Sequence, residues 1–221
     1  CDAQIDNVTG LLMLRERTTP LPLYATQPVL DDLSSALPLV PLLSYYCGVD
    51  QHAIALGEPF TIAPLTGLRF TAIAIDSAPP PYSPHRGSPV TGDNVAFVIE
   101  DIATSATAFY APGLARTSPS ILAAMRSARL VLVDGTFWTD TEMIDLGLSS
   151  KRAAEMGHLA QCIVNGEPGM IDLLDSLPSA TRKVLIHINN TNPILDPRSD
   201  AHAIVRAHGI DIAEDGMELQ V

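Results

Sequence analysis

The sequence predicts an α/β fold, in which helices cover the faces of a central sheet. In the second half of the chain, apolar runs of strand length alternate with segments that have the periodicity of amphipathic helices. Hydrophobic residues make up 47% of the 221 residues and charged residues 17%, which is the composition of a globular protein. No repeat or linker divides the chain, so we expect one domain over residues 1–221.

The first part of the chain is interrupted by proline and predicts short elements. A helix is expected over residues 8–17, after the polar run D-A-Q-I-D-N, with Asp6 or Asn7 as its N-cap. A short side-chain oxygen at that position accepts a free backbone N–H of the first turn. Residues 20–26 predict an extended segment, and residues 27–46 predict one or two short helices broken at prolines.

The middle of the chain predicts three strands and one long loop. The alternating β-branched pattern of residues 68–76 is typical of a strand. It leads into residues 77–94, a loop rich in Pro, Gly and Ser, and a loop of this length is usually functional or disordered. Residues 95–101 and 106–112 then predict two strands that pair as a hairpin.

Helices and buried strands alternate in the remainder. A helix is expected over residues 118–129, with Ser118 at its N-cap and a proline at the first helical position. The strand that follows, residues 129–135, ends at Asp134, and residues 169–177 predict another helix.

The last three predicted elements are a strand, a helix and a closing strand. The strand over residues 182–189 ends at His187 and Asn189. A helix is expected over residues 199–209, between a serine N-cap and a glycine stop, and residues 216–221 predict the final strand.

Charge and composition exclude several classes of protein. The net charge of −12 disfavours binding to nucleic acid or to an anionic membrane face, because both reward clusters of Lys and Arg. No apolar run is long enough to span a membrane, and no signal peptide is visible. The three cysteines fit no zinc-binding spacing, so we expect free thiols and a cytoplasmic location. Because the chain begins at Cys1, we expect it to be a fragment of a longer protein.

Unusual polar residues at predicted strand ends are candidates for a functional site. A lone His187 between two isoleucines is more often a core histidine, but the amides that follow it favour a cleft. The local sequence is as consistent with a solvent-facing His158 as with a functional one. For His85, in the Pro-rich loop, the local sequence by itself indicates a surface residue. Asp2 and Asp6 could form a solvated turn or a cluster of oxygen ligands for a metal. Carboxylates combined with imidazoles suit Fe(II), Mn(II) or Zn(II), and one carboxylate with two histidines is the facial triad of non-haem iron oxygenases.

Several longer motifs occur in order along the chain. They are D-A-Q-I-D-N, A-P-P-P-Y-S-P-H-R, G-D-N, F-Y-A-P-G-L, L-V-D-G-T-x-W, M-G-H-L-A-Q and V-L-I-H-I-N-N-T-N-P-I-L-D. Together they resemble the PQQ biosynthesis protein B family, within the metallo-β-lactamase superfamily, from Asp2 to residues 215–219. The resemblance implies a metallo-β-lactamase-like αββα sandwich whose N-terminal strands are missing from this chain.

The resemblance also implies a set of metal ligands. D-A-Q-I-D-N occupies the place of the superfamily motif H-x-H-x-D-H, so Asp2, Gln4, Asp6 and Asn7 stand at its four ligand positions. The family usually has histidine where this chain has Asn7, and His187 resembles the late histidine ligand of the superfamily.

Asp134 and His158 resemble a pair that transfers protons in the ribonuclease Z branch. Leu114 stands where a bridging aspartate would lie, so the resemblance implies one metal, Fe(II) or alternatively zinc, rather than a dinuclear zinc centre. The family's structural zinc is expected only in the missing N-terminal region.

The function implied by the resemblance is PQQ biosynthesis. The expected reaction is the metal- and O₂-dependent hydroxylation of the tyrosine ring in a small precursor derived from a Glu–Tyr peptide. Tyr82, His85 and Asn189 are expected at the substrate pocket, with the first two on a loop that covers it. The alternatives are a carrier of PQQ or its precursor toward the periplasm and a metal-dependent hydrolase. A homodimer and poor solubility of the chain alone are further expectations.

Overall fold

The computed structural model describes residues 1–221 and contains two sheets, one of seven strands and one of two. The nine strands are β1 (Leu21–Ala25), β2 (Val49–Ala53), β3 (Pro59–Phe60), β4 (Leu68–Ala74), β5 (Val95–Asp101), β6 (Thr107–Ala111), β7 (Leu130–Asp134), β8 (Arg182–Ile186) and β9 (Ile210–Ile212). β1 and β2 form a parallel pair of their own. The large sheet runs in sequence order from β3 to β9.

The helices are short, and none is long and apolar enough to cross a membrane. They are α1 (Ile5–Val8), α2 (Gln27–Asp31), α3 (Leu39–Leu43), α4 (Pro119–Ser127), α5 (Glu142–Asp145), α6 (Ala153–Met156), α7 (Met170–Asp175) and α8 (Asp200–Ala207). α1 continues as a 3₁₀ helix over Thr9–Leu14, and α2 continues as a π-helical segment over Asp32–Ala36.

The direction of the strands decides where a site can form. Neighbours from β3 to β6 are antiparallel, whereas β6, β7, β8 and β9 are parallel to one another. The carboxyl ends of the parallel strands therefore meet at one edge of the sheet. Asp134, at the end of β7, lies directly beside Ile186, at the end of β8. The loops that follow both strands are consequently neighbours.

The main core lies between one face of the large sheet and helices α4, α7 and α8. Strand residues alternate between the two faces, so that Val131 and Val133 of β7 enter this core while Leu130 belongs to a smaller cluster on the other face. Phe109 of β6 is fully buried in the main core. Its neighbours there include Met125 of α4.

Most of the predicted elements are confirmed. α4 begins as expected: the Ser118 hydroxyl accepts a hydrogen bond from the Ile121 N–H at 3.3 Å, and proline occupies the first turn. α8 begins in the same way, with Ser199 accepting from the His202 N–H at 3.0 Å. β5 and β6 pair antiparallel as the predicted hairpin.

Three predictions of local structure are wrong. The first helix begins at Ile5, with Gln4 at its N-cap and no side-chain cap, so neither Asp6 nor Asn7 caps it. The strand predicted over residues 182–189 ends at Ile186, because the next residue has a φ of 53° that ends the extended backbone.

The predicted closing strand over residues 216–221 is also absent. A turn in which the Met217 N–H donates to the Glu214 carbonyl redirects the chain after β9. Met217 and Leu219 then pack onto the smaller cluster of the sheet without joining its hydrogen-bond ladder.

Two strands of the first half, β2 and β3, and the short helices α5 and α6 were not predicted.

One face of the large sheet carries an open apolar groove of about 330 Å³. Its lining residues are all hydrophobic: Cys1, Tyr24, Phe60, Ile62, Phe70, Phe97, Ile99 and Tyr110. Exposed apolar surface of this kind promotes aggregation, which is the reason for expecting poor solubility. The solubility itself stays a prediction.

Replacing Phe109 with alanine tests the position of the main core. The substitution removes a fully buried ring, so the free energy of unfolding should fall by about 3–5 kcal/mol. Urea denaturation followed by circular dichroism measures the change. Met13→Ala is the control, because Met13 is 78% exposed and its removal should change stability by less than about 0.5 kcal/mol. Equal effects of the two substitutions would place the core elsewhere.

Candidate functional site

A polar cleft of about 340 Å³ opens at the carboxyl edge of the parallel strands. Its lining residues are Asp2, Gln4, Asp6, Asn7, Ser77, Pro81, Arg86, Asn94, Gly113, Ser149, Lys151, Met156, His158 and His187. All four D-A-Q-I-D-N residues proposed as ligands therefore share one cleft with both candidate histidines. These residues are far apart in the sequence, and the fold brings them together.

Hydrogen bonds within the first turn orient its amide side chains. Asp2 is buried, and its Oδ1 accepts from the Gln4 N–H at 2.8 Å and from Asn7 Nδ2 at 2.9 Å. The other Asp2 oxygen lies 3.1 Å from the same Asn7 nitrogen. Gln4 Nε2 donates to the Ala78 carbonyl at 2.9 Å. Because both amide NH₂ groups are used in this way, the side-chain oxygens of Gln4 and Asn7 remain free to bind a ligand.

Asp134 is a buried carboxylate whose two oxygens are saturated with donors. Oδ1 accepts from the Thr136 N–H at 3.0 Å and from the Thr136 hydroxyl at 2.5 Å. Oδ2 accepts from the Leu114 N–H at 3.0 Å and from His158 Nδ1 at 2.8 Å. Such a carboxylate orients its partners more readily than it binds a metal.

His158 is held beside Asp134 in a setting that favours its charged form. Burial by itself lowers the pKa of His158, but the Asp134 carboxylate, through charge and a hydrogen bond, raises it above the ordinary value. The more distant charges of Asp6 and Asp2 act in the same direction. An imidazole of this kind can hold and release a proton at the floor of the cleft.

His187 follows β8 and connects the two walls of the cleft. Its Nε2 lies 3.0 Å from Asp6 Oδ2, and its Nδ1 lies 2.9 Å from the Thr136 hydroxyl. Its ring stacks on that of His158, with centroids 5.4 Å apart and planes inclined by 19°. Its φ of 53° is uncommon for a residue with a side chain, and such backbone is found where the surroundings hold it in place.

Two glycines permit the close approaches that place the histidines. Gly157 precedes His158 and has a φ of 98°, and a Cβ there would lie 2.6 Å from the Ser77 hydroxyl. A Cβ on Gly135 would lie 2.9 Å from the Leu185 Cβ, where β7 and β8 run side by side. The motifs M-G-H and V-D-G-T therefore need glycine for geometric reasons.

A metal ion fits two overlapping groups of side chains. Donor atoms of Asp134, His158 and His187 all lie within 4.8 Å of one another. Asp134, however, already accepts four hydrogen bonds, which leaves it little capacity to bind an ion. We therefore favour Asp6 and His187, whose donor atoms face each other at 3.0 Å in the open cleft.

The remaining donors near this pair are amide oxygens of Gln4 and Asn7, which line the same cleft. A carboxylate, an imidazole and amide oxygens suit Fe(II), Mn(II) or Zn(II). Asp2, which was also expected as a ligand, lines the same cleft, and both of its oxygens lie within hydrogen-bond distance of the Asn7 amide.

Tyr82 and His85 were expected at the substrate pocket, on a loop that covers it. Neither residue lines the cleft. The Tyr82 hydroxyl donates to the Ala3 carbonyl, and His85 Nδ1 lies 2.9 Å from Oδ1 of the buried Asp93. The Tyr82 contact fastens the long loop to the start of the chain, whereas the His85 contact lies within the loop. Asn189 lies beside the cleft, in a depression of about 180 Å³ that it shares with Asp6 and His187.

Three residues at the site were not identified from the sequence. Thr136 contacts Asp134 and both histidines, and its position directly after V-D-G was the available signal. Arg86 and Lys151 line the cleft, and no carboxylate lies within 4.0 Å of either cation. Unpaired cations cannot be recognised in the sequence, because pairing depends on the fold.

Tyr82→Phe tests the contact between the long loop and the first turn. Burial, followed by the charges of Asp32 and Asp2, raises the pKa of Tyr82 to about 12. An unfolded tyrosine ionises near pH ~10, so the folded state holds this proton more tightly. The resulting stability is complete below pH ~10 and is lost as the pH rises toward 12.

Wild-type protein should therefore lose stability more steeply than Tyr82→Phe between pH ~10 and ~12. At neutral pH the variant should be less stable by about 1 kcal/mol, because the Ala3 carbonyl loses its donor. Urea denaturation across this pH range measures both effects. Tyr45→Phe serves as the control, because Tyr45 is 86% exposed. Parallel curves for wild type and Tyr82→Phe would contradict the buried contact.

Comparison with known proteins places the chain in a family. Residues 1–188 match the model of the beta-lactamase superfamily domain. The chain is 55% identical over 219 residues to coenzyme PQQ synthesis protein B of Cupriavidus necator and 52% identical over 220 residues to that of an Azoarcus species. These alignments cover 99% and 100% of the chain, and 70% and 71% of the two relatives.

A solved structure agrees with the sequence relatives. The crystal structure of Zn²⁺-bound PqqB from Methylobacterium extorquens superposes with a TM-score of 0.86 at 33% identity, covering 100% of this chain and 71% of that one. Sequence and fold therefore point to the same group of proteins. The chain belongs to the coenzyme PQQ synthesis protein B family, within the beta-lactamase superfamily.

Proposed function

We propose that the protein is a bacterial, cytoplasmic hydroxylase of PQQ biosynthesis that uses Fe(II) and O₂. Its substrate would be the tyrosine ring of a small precursor derived from a Glu–Tyr peptide. The observation that carries the proposal is the pairing of Asp6 with His187 in an open polar cleft, next to a protonatable His158. The names of its relatives supply the biosynthetic context.

Asp6 and His187 would hold the iron, with the amide oxygens of Gln4 and Asn7 completing the ligand set. Iron bound there would supply the activation of O₂ that an organic side chain cannot provide. Zinc is the alternative metal, because the donor types accommodate it and a zinc-bound relative is known.

His158 would move protons for the reaction. Its Nδ1 is bonded to Asp134, so its other ring nitrogen is the one available to the cleft. Burial lowers the pKa of His158, but the Asp134 carboxylate raises it above its ordinary value, which favours the protonated ring. Asp134 orients the ring and stabilises the imidazolium, and such a positioned acid or base typically contributes 10²–10⁴-fold to a rate.

Arg86 and Lys151 would bind the carboxylates of the precursor. A Glu–Tyr dipeptide carries two carboxylates, and no carboxylate of the protein lies within 4.0 Å of either cation. The Arg86 guanidinium donates to the neutral Pro79 carbonyl, which holds the side chain in place without cancelling its charge. The cleft volume of about 340 Å³ suits a small molecule.

An anaerobic Fe(II) titration tests the metal site. Wild-type protein should bind one equivalent, and both His187→Ala and Asp6→Ala should abolish tight binding because each removes a ligand. His208→Ala is the matched control, since that histidine pairs with Asp175 away from the cleft. Binding that survives the loss of both His187 and Asp6 would refute this site.

Hydroxylation is then tested by adding O₂, ascorbate and the dipeptide glutamyl-tyrosine to the iron-loaded protein. Each turnover inserts one oxygen atom into the ring and reduces the other to water with two electrons from ascorbate. Mass spectrometry should show a product with one added oxygen. His158→Gln should reduce kcat by about 10²–10⁴-fold. Iron binding without any oxygenated product would leave the metal site standing and refute the hydroxylase.

Arg86→Gln and Lys151→Gln test the proposed binding of carboxylates. Each should raise KM by about tenfold with little change in kcat, because a lost charge-assisted hydrogen bond is worth roughly 1.5–3 kcal/mol. Arg126→Gln, on the outer helix α4, is the control. A fall in kcat at unchanged KM would show that these cations do not anchor the substrate.

A carrier of PQQ or its precursor is the second candidate. It is favoured by Asn7, whose amide binds Asp2 where the family usually provides an imidazole. If the wild type binds PQQ but not Fe(II), and Asn7→His restores iron binding, the carrier is supported.

A dinuclear hydrolase is disfavoured because Leu114 is fully buried in the apolar core and offers no ligand.

A further inference from the structure

The hydroxyl of Thr136 lies between Asp134, His158 and His187. We propose that Thr136 is a positioning residue that keeps a proton on Nδ1 of His187, so that the Nε2 of this ring is the nitrogen presented to the metal. The proposal rests on the metal site of the proposed function but not on hydroxylation.

The argument begins with the single proton of the hydroxyl. Thr136 Oγ1 lies 2.5 Å from Asp134 Oδ1, 2.9 Å from the His187 carbonyl and 2.9 Å from His187 Nδ1. A hydroxyl donates one hydrogen bond and accepts up to two. The carboxylate is both the shortest contact and the charged acceptor, so it receives the proton.

The hydroxyl oxygen is then an acceptor toward the two rings. His158 Nδ1 lies 3.1 Å from Thr136 Oγ1 but 2.8 Å from Asp134 Oδ2, so its proton is directed to the carboxylate. His187 Nδ1 has the Thr136 oxygen at 2.9 Å as its hydrogen-bond partner. It must therefore be the donor, and the proton of His187 stays on Nδ1.

The consequence appears at the other side of the ring. With Nδ1 occupied by a proton, the nitrogen available to a metal is Nε2, which lies 3.0 Å from Asp6 Oδ2. Metal-binding histidines commonly donate their second N–H to a carboxylate or another acceptor, which fixes the ring. Here the acceptor would be a threonine hydroxyl that is itself bonded to a buried carboxylate.

Thr136 is well suited to this task for two reasons. It is buried, so water does not compete for its hydrogen bonds, and its β-branched side chain has restricted rotation. Its own backbone is held at both ends: the N–H donates to Asp134 Oδ1, and the carbonyl accepts from the Asn189 N–H at 3.2 Å. It can therefore hold the strained His187 in one orientation.

The test compares Thr136→Val, which keeps the shape but removes the hydroxyl, with Thr136→Ser, which keeps the hydroxyl. Protein labelled with ¹⁵N-histidine is loaded with Zn²⁺, and ring-nitrogen NMR identifies which nitrogen of His187 carries the proton and which binds the metal. Zn²⁺ affinity is measured in parallel. Thr181→Val is the matched control: it removes a buried threonine hydroxyl that donates to the Ala128 carbonyl, away from the site.

Wild type and Thr136→Ser should show a protonated Nδ1 and a metal-bound Nε2 on His187. Thr136→Val should lose this pattern and bind Zn²⁺ about 10- to 100-fold more weakly, the usual effect of removing a residue that orients a ligand. Thr181→Val should change stability only. If Thr136→Val does not fold, Thr136→Ala replaces it.

A wild-type spectrum with the metal on Nδ1 of His187 would overturn the proposal without any variant. Unchanged nitrogen assignments and Zn²⁺ affinity in Thr136→Val would overturn it as well. The assignment is also made in metal-free protein, where a protonated Nδ1 is again expected. Because neither iron, O₂ nor substrate is used, failure of the hydroxylase and failure of this proposal are separate results.

Discussion

The buried carboxylate of Asp134 is the interaction on which the site depends. A carboxylate without solvent is costly unless its oxygens are matched by donors, and here four hydrogen bonds from three segments meet it. They come from the loop after β6, the turn after β7 and the segment after α6. A single buried group thus aligns backbone and side chains that are separated along the chain.

The parallel half of the sheet supplies the frame for this arrangement. Pairing of Asp134 with Ile186 in register places Thr136 beside His187, and a shift by one residue would turn the side chains to the opposite face. Both faces of β7 and β8 bury apolar side chains, with Val133 and Leu185 in the main core beneath α4 and α7 and Leu130 and Val184 in the smaller cluster. Packing and site geometry are therefore set by the same alternation of residues.

The sequence predicted those parts of the molecule that depend on local patterns. α4 and α8 were recognisable from their serine caps, and β7 from its apolar run, because each signal lies within a few residues. The family motifs also pointed to Asp6, His158 and His187, which the fold brings into one cleft.

What could not be predicted depends on contacts between distant segments. Tyr82 was expected over the pocket, but its hydroxyl bonds to the Ala3 carbonyl, 79 residues away, and this partner can be identified only in the folded chain. The role of Thr136 is hidden for the same reason, since its partners lie up to 51 residues away. The final segment was read as a strand from its composition, although a turn carries it away from the sheet.

The contact between Asp6 and His187 joins residues 181 positions apart. A site assembled from segments so far apart in the sequence does not exist in any partly folded intermediate in which either segment is unfolded. Metal would therefore bind only after the whole domain has formed, and its binding energy would add to the stability of that state alone. For a cell, this order of events would keep a reactive metal from binding to incomplete chains.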